Sequence, residues 1–166
     1  INLNSIRTQQ DLARVPSIDK NNYLRAYALP ELCWDGDLTS VHKIISSTSG
    51  SSGEPFFFPR TKTQDDQYAL IAELYMRANF SIQHKRTLYI NAFPLGVWIG
   101  GLFTFSAITR LAERGKYPLS IINPGINISA VITAIKKFEH EYDQIIIGSY
   151  GPFLKDIIDE GELQGI

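Results

Sequence analysis

Ser46-Ser47-Thr48-Ser49-Gly50-Ser51-Ser52-Gly53-Glu54-Pro55 places six hydroxyls, two glycines and a single charge within ten residues. Lys43-Ile44-Ile45 precedes it and Phe56-Phe57-Phe58-Pro59 follows. Small residues let successive backbone N–H groups converge, and the hydroxyls add rotatable donors. Together they form a concave nest suited to phosphate oxygens. The hydrophobic flanks argue against a flexible tether. The loop is not a Walker A motif, because Gly50 and Gly53 are too close and no lysine follows. A G-x-G-x-x-G dinucleotide fingerprint is absent as well.

Other reactive side chains point to no competing chemistry. His42, His84 and His140 are far apart, with no companion at metal-ligand spacing, so no metal site is expected. Cys33 beside Trp34 reads as a small buried hydrophobe, and no G-x-S-x-G elbow marks a hydrolase serine. Asp65/Asp66 and Asp156/Asp159/Glu160/Glu162 fall at a helix start and a helix end. They read as capping and solvated positions rather than as an acid–base pair.

Thr48-Ser49-Gly50-Ser51-Ser52-Gly53-Glu54-Pro55 resembles the [ST]-S-G-[ST]-[ST]-G-x-P loop of the adenylate-forming ligases. The likeness is greatest to the branch of phenylacetate–CoA ligases and their capsule-biosynthesis relatives. Three further segments are similar to that branch in the same order. They are Asp11-Leu12-Ala13-Arg14-Val15-Pro16 with Lys20, Asn91-Ala92-Phe93-Pro94-Leu95-Gly96 leading to Gly100-Gly101, and Gly148-Ser149-Tyr150-Gly151-Pro152-Phe153-Leu154. One departure is Phe56, where many adenylating enzymes carry a lysine after the loop proline.

The resemblance implies ATP-dependent activation of a small-molecule carboxylic acid with Mg²⁺, followed by transfer of the acyl group, usually to coenzyme A. It assigns Thr48, Ser49, Gly50, Ser51, Ser52 and Gly53 to the ATP phosphates. It places an acyl or aryl pocket near Phe93 and Trp98. Without a loop lysine, positive charge would come from Mg²⁺, from Arg60 or Lys62, or from another domain. The family's remaining motifs, including its catalytic lysine, would lie beyond Ile166. The chain is therefore expected to be an N-terminal piece, inactive alone, whose partner is the rest of the same enzyme. Alternatives are an acyl-protein or acyl–amino acid synthetase of the same superfamily, or a non-catalytic nucleotide-binding or interaction domain.

The elements that must position these residues are legible in the hydrophobic periodicity. Residues 1–42 read as a helical and irregular segment of the same domain. In it Asp11 to Arg14 forms a short helix before Pro16, with turns at Leu29-Pro30 and Asp35-Gly36-Asp37. Residues 43–166 read as an α/β core containing the loop 46–55. Phe56-Phe57-Phe58 is expected to be a core strand leaving that loop. Thr63 is expected to cap a helix that buries Leu70, Ile71, Leu74, Tyr75 and Ala78. Strands are expected at Thr87–Ile90, Leu119–Ile122 and Gln144–Gly148. Helices follow over Val97–Glu113, after an Asn127 cap, and from Pro152 to a stop at Gly161. The last helix turns Phe153, Leu154, Ile157 and Ile158 inward. Strands apolar throughout and alternating with helices predict a layered, mostly parallel sheet covered on both faces. The resemblance makes it part of the large N-terminal domain of an adenylate-forming enzyme.

Bulk properties narrow the classes. A net charge of −1 provides no cationic footprint for nucleic acid or an anionic membrane. One cysteine excludes an internal disulfide and fits a reducing, cytoplasmic setting. Residues 88–109 are uncharged, but Asn91, Pro94, Gly96, Gly100 and Gly101 mark a strand, a turn and a buried helix rather than a membrane span. A homodimer is compatible with the sequence.

Overall fold

The computed structural model describes residues 3–41, 43–48 and 53–166. The chain divides into two compact units, Ile1–Val41 and His42–Ile166. In the first, the short helix α1 (Gln9–Leu12) starts from a reciprocal cap. Asp11 N–H donates to the Thr8 hydroxyl, while the Asp11 carboxylate accepts from Thr8 N–H. A helical turn at Lys20–Leu24 and tight turns at Leu29–Leu32 and Trp34–Gly36 follow. Asp35 and Gly36 both adopt positive φ there.

The second unit opens with an antiparallel hairpin, β1 (Lys43–Ser47) and β2 (Phe57–Thr61), in the register Ser47 opposite Phe57 and Lys43 opposite Thr61. There follow α2 (Lys62–Phe80), β3 (Thr87–Asn91), α3 (Ile99–Glu113), β4 (Leu119–Ile122), α4 (Ile128–Phe138), β5 (Gln144–Gly148) and α5 (Gly151–Leu163). The last three strands form one parallel sheet in the order β4-β3-β5. The centre strand, β3, is buried along its whole length. Its Tyr89 joins Ala69, Met76, Ile108, Leu111 and Ile146 in one core layer beneath α2 and α3. Leu88 and Ile90 point the other way, into Val131, Ile132, Phe153 and Ile157 of α4 and α5. The period-2 alternation thus feeds two apolar layers, as expected for a parallel sheet covered on both faces.

Several local expectations are corrected. The cap of helix α2 is Thr61, two residues before Thr63, with its hydroxyl accepting from Gln64 N–H. Its inward face is Asp65, Ala69, Glu73 and Met76, whereas Leu70, Ile71, Leu74, Tyr75 and Ala78 are exposed. A two-stranded hairpin cannot enclose both faces of β2, so Phe57 is 48% exposed and Phe56 and Phe58 are half-buried. Asp65 is buried, not solvated. In α5 Ile158 is exposed, and Gly161 is a buried helical residue packed near Ile132 and Ile166, so the helix runs on to Leu163. Among the described residues, no helix is long and apolar enough to cross a membrane.

Candidate functional site

Chain order creates a crevice at the carboxyl ends of β3 and β5. From β3 the chain passes through α3 on one face of the sheet to β4, then through α4 on the other face to β5, on the far side of β3. Helices α3 and α5 therefore leave adjacent strands toward opposite faces. Such a divergence opens a ligand crevice above the strand ends. Ala92 N–H donates to the Gly148 carbonyl and Ser149 Oγ donates to the Ala92 carbonyl at 2.7 Å, joining the two strand ends beneath it.

The turn from β3 to α3 is held tightly. A Cβ on Gly101 would fall 1.9 Å from the Pro94 carbonyl oxygen, so only glycine lets the helix start pack on this turn. Buried Asn91 donates through Nδ2 to the Gly101 carbonyl and to Asn123 Oδ1 at 3.1 Å. Gly125 N–H donates to the Asn91 carbonyl, so the loop after β4 joins the same assembly.

The serine-rich loop grows from this turn. Ser47 N–H donates to the Val97 carbonyl at 2.8 Å, and Ser47 pairs with Trp98 as an isolated parallel bridge. Thr48 closes the base of the hairpin: its N–H donates to the Phe56 carbonyl, and Phe56 N–H donates to Thr48 Oγ1. Because that hydroxyl only accepts there, its own proton stays available. Ser46 and Ser47 are buried within β1, so the first free hydroxyl of the ten-residue segment is that of Thr48. Gly53 is exposed with φ of 131°, a conformation other residues rarely adopt. Ser49, Gly50, Ser51 and Ser52 lie outside the described residues, as does His42.

The two cations that the sequence offered to the loop, Arg60 and Lys62, are already engaged. Arg60 is 5% exposed; its Nε donates to Asp65 Oδ1 at 2.9 Å, its Nη1 to Ser46 Oγ, and its guanidinium lies 4.3 Å from the Phe103 ring centre. Ser106 donates to Asp65 Oδ2, and Arg110 bonds Ser106 and Asp66. Lys62 pairs with Asp66, whose carboxyl its ammonium holds below the usual carboxylate range. This network ties the hairpin to α2 and α3 and directs neither cation at the loop.

Beside the crevice, between α2, α3 and the sheet, lies a cavity of about 370 Å³. Tyr68, Tyr75 and Met76 of α2, Ile108 of α3 and Ile146 of β5 give it an apolar wall, and Phe93 closes it at the turn. Five of the lining residues bear a hydroxyl: Tyr68 and Tyr75 in that wall, with Tyr89, Thr104 and Ser149. Burial pushes the Tyr89 phenol up to about 12, so it is a neutral donor. Phe93 thus faces the cavity, whereas half-buried Trp98 does not line it; it caps α3 and joins the hairpin. Tyr89 was not singled out from sequence, and Gly148 was named only as a strand end and the head of the segment Gly148–Leu154. The available signals were a tyrosine amid an otherwise aliphatic strand and a glycine closing the run Ile145-Ile146-Ile147. Gly148 makes room for the phenol, since a Cβ there would lie 1.9 Å from Tyr89 Oη.

Compared with models of protein families and with curated proteins, the sequence matches none.

Proposed function

We propose that this chain forms the phosphate-binding and acyl-binding side of an ATP-dependent carboxylate-activating ligase, with its loop on the ATP phosphates and its cavity on the acyl group. One observation carries the reading. The segment Phe93–Trp98 faces the apolar cavity at its first residue and joins the base of the serine-rich hairpin at Val97 and Trp98. The base of the serine-rich segment and a slot for an apolar body therefore meet at one turn, which supports a reading in which an acid is joined to a nucleotide.

In the proposed reaction, a carboxylate oxygen attacks the α-phosphorus of ATP and pyrophosphate leaves, giving an acyl adenylate. A thiol, coenzyme A in the branch this chain resembles, then takes the acyl group and releases AMP. Little covalent chemistry falls to the protein, so its work is positioning and charge stabilisation. Thr48, Ser49, Ser51 and Ser52 would donate hydroxyl protons to the β- and γ-phosphates, and Gly50 and Gly53 would let the backbone approach. Among the described residues no three His, Cys, Asp or Glu side chains cluster. Ligands for Mg²⁺ are accordingly not placed among the described residues. With Arg60 and Lys62 held by carboxylates, the balancing cation comes from outside these residues.

The test is ATP–pyrophosphate exchange by the full-length protein, against a panel of aryl and fatty acids. Acid-dependent exchange is expected, reduced on the order of 100-fold by Ser51→Ala with Ser52→Ala, as for loss of preorganised donors at developing charge. Exchange that survives the double substitution, or no exchange with any acid by a folded protein, would sink the proposal.

A further inference from the structure

Three consecutive residues lead into the serine-rich loop, and each is held by a different partner. Ser46 accepts from Arg60 Nη1 of β2, Ser47 N–H donates to the Val97 carbonyl, and Thr48 N–H donates to the Phe56 carbonyl. The second and third contacts are ordinary main-chain hydrogen bonds. The first is made by a buried charge.

That charge is costly where it stands. Arg60 is 5% exposed, and among the described residues its Nη2 is buried without a hydrogen-bond partner. Attraction within a buried ion pair returns little more than desolvation takes, so a well-packed apolar pair is often as stable. A methionine on β2 would lie against Phe103 without the orphaned donor. What it could not do is hold Ser46. The guanidinium is a rigid planar fork. With Nε fixed on Asp65 Oδ1 at 2.9 Å and the plane 4.3 Å from the Phe103 ring centre, the direction of Nη1 is set, and Ser46 Oγ occupies it. Asp65 belongs to α2 and is held in turn by Ser106 of α3. Ser46, itself fully buried, is thereby referenced to both helices.

We propose that Arg60 is a positioning residue for the phosphate-binding loop: through Ser46 it fixes Ser47 and Thr48, and with them the direction in which the loop leaves β1. A displacement on the order of 1 Å is enough to spoil preorganised contacts. The proposal rests on the ligase reading only for its consequence at ATP; the hold on the loop entrance is tested separately.

Two variants release Ser46 in different ways. Ser46→Ala leaves the Arg60–Asp65 pair in place, whereas Arg60→Met with Asp65→Leu replaces the pair by apolar side chains. The first readout is amide hydrogen exchange of the 166-residue chain, followed by NMR. In both variants Ser47 N–H is expected to exchange about 10-fold faster relative to the Tyr89 and Ile90 amides of β3, a local opening eased by the loss of one hydrogen bond. A merely structural role would accelerate all three amides together. The second readout is pyrophosphate exchange by the full-length protein. KM for ATP is expected to rise about 10-fold in both variants while KM for the acid stays within about 2-fold, since only the phosphate contacts are displaced. Unchanged relative exchange of Ser47 in either variant overturns the proposal. So does faster Ser47 exchange with KM for ATP unchanged, or an equal rise in both KM values. A folded wild type that performs no pyrophosphate exchange would remove the ligase reading alone, and the Ser47 amide would then decide whether Arg60 holds the loop entrance.

Discussion

Asp65 stands in the first turn of α2, where unsatisfied N–H groups favour a carboxylate, and its sequence position describes nothing more than a helix start. In the structure it is 1% exposed and accepts from Arg60 of β2 and Ser106 of α3. The sequence carries no sign of this, since the partners lie 5 and 41 residues away and neither spacing belongs to a local motif. Removing one member of a buried pair leaves the other charge without compensation, which costs about 3–5 kcal/mol. Asp65→Asn is therefore expected to lower the melting temperature by roughly 10 °C or more. Replacing both members, Arg60→Met with Asp65→Leu, should recover most of that loss, because a well-packed apolar pair is often neutral. Thermal unfolding of the two variants by circular dichroism is the measurement. A double variant no more stable than Asp65→Asn would mean that the ion pair supplies net stability.

Among the elements, those written most plainly in the sequence are the three parallel strands and the helices between them. Thr87–Asn91, Leu119–Ile122 and Gln144–Gly148 are apolar runs too short for helices, and Asn127 stands immediately before an i, i+3, i+4, i+7 pattern. What periodicity does not encode is how closely elements meet. Gly100 and Gly101 look alike in sequence, yet a Cβ on Gly100 would meet only Phe93 Cδ1 at 3.8 Å, an ordinary contact, while one on Gly101 would strike the Pro94 backbone. Gly100→Ala is expected to be neutral or to stabilise α3 by up to about 1 kcal/mol, through helix propensity. Gly101→Ala is expected to destabilise by about 3 kcal/mol, because the obstructing atoms are main chain and cannot rotate aside. Urea unfolding distinguishes them, and equal effects would mean that the turn after β3 is not held against the start of α3. The same turn carries Phe93 to the cavity and Trp98 to the hairpin, so its displacement would disturb both halves of the candidate site.

Over the whole molecule, the widest difference between sequence and structure is the face of α2. Leu70, Ile71, Leu74 and Tyr75 have the spacing of a buried stripe, but they are 52%, 62%, 56% and 59% exposed. The helix turns inward its small and polar side, Ala69, Ala72, Glu73 and Met76, because α3 crosses it closely and supplies Arg114 and the nearby Tyr117 as partners for the Glu73 carboxylate. Periodicity reports that a helix has two unlike faces; which of them meets the core is decided by what the neighbouring helix can pair. Substituting the outer face then has a definite consequence. Leu70→Gln with Leu74→Gln should change unfolding free energy by no more than about 1 kcal/mol in total, the ordinary range for exposed positions. Met76→Ala, two residues beyond Leu74 but inward, should cost about 2–5 kcal/mol. Contiguous exposed apolar residues also promote association. Sedimentation velocity over a concentration series should therefore show the double variant to be less self-associating than wild type, with urea unfolding recorded on the same samples. A double variant destabilised as much as Met76→Ala would return Leu70 and Leu74 to the core, and with them the cavity wall that Tyr75 and Met76 form between α2 and the sheet.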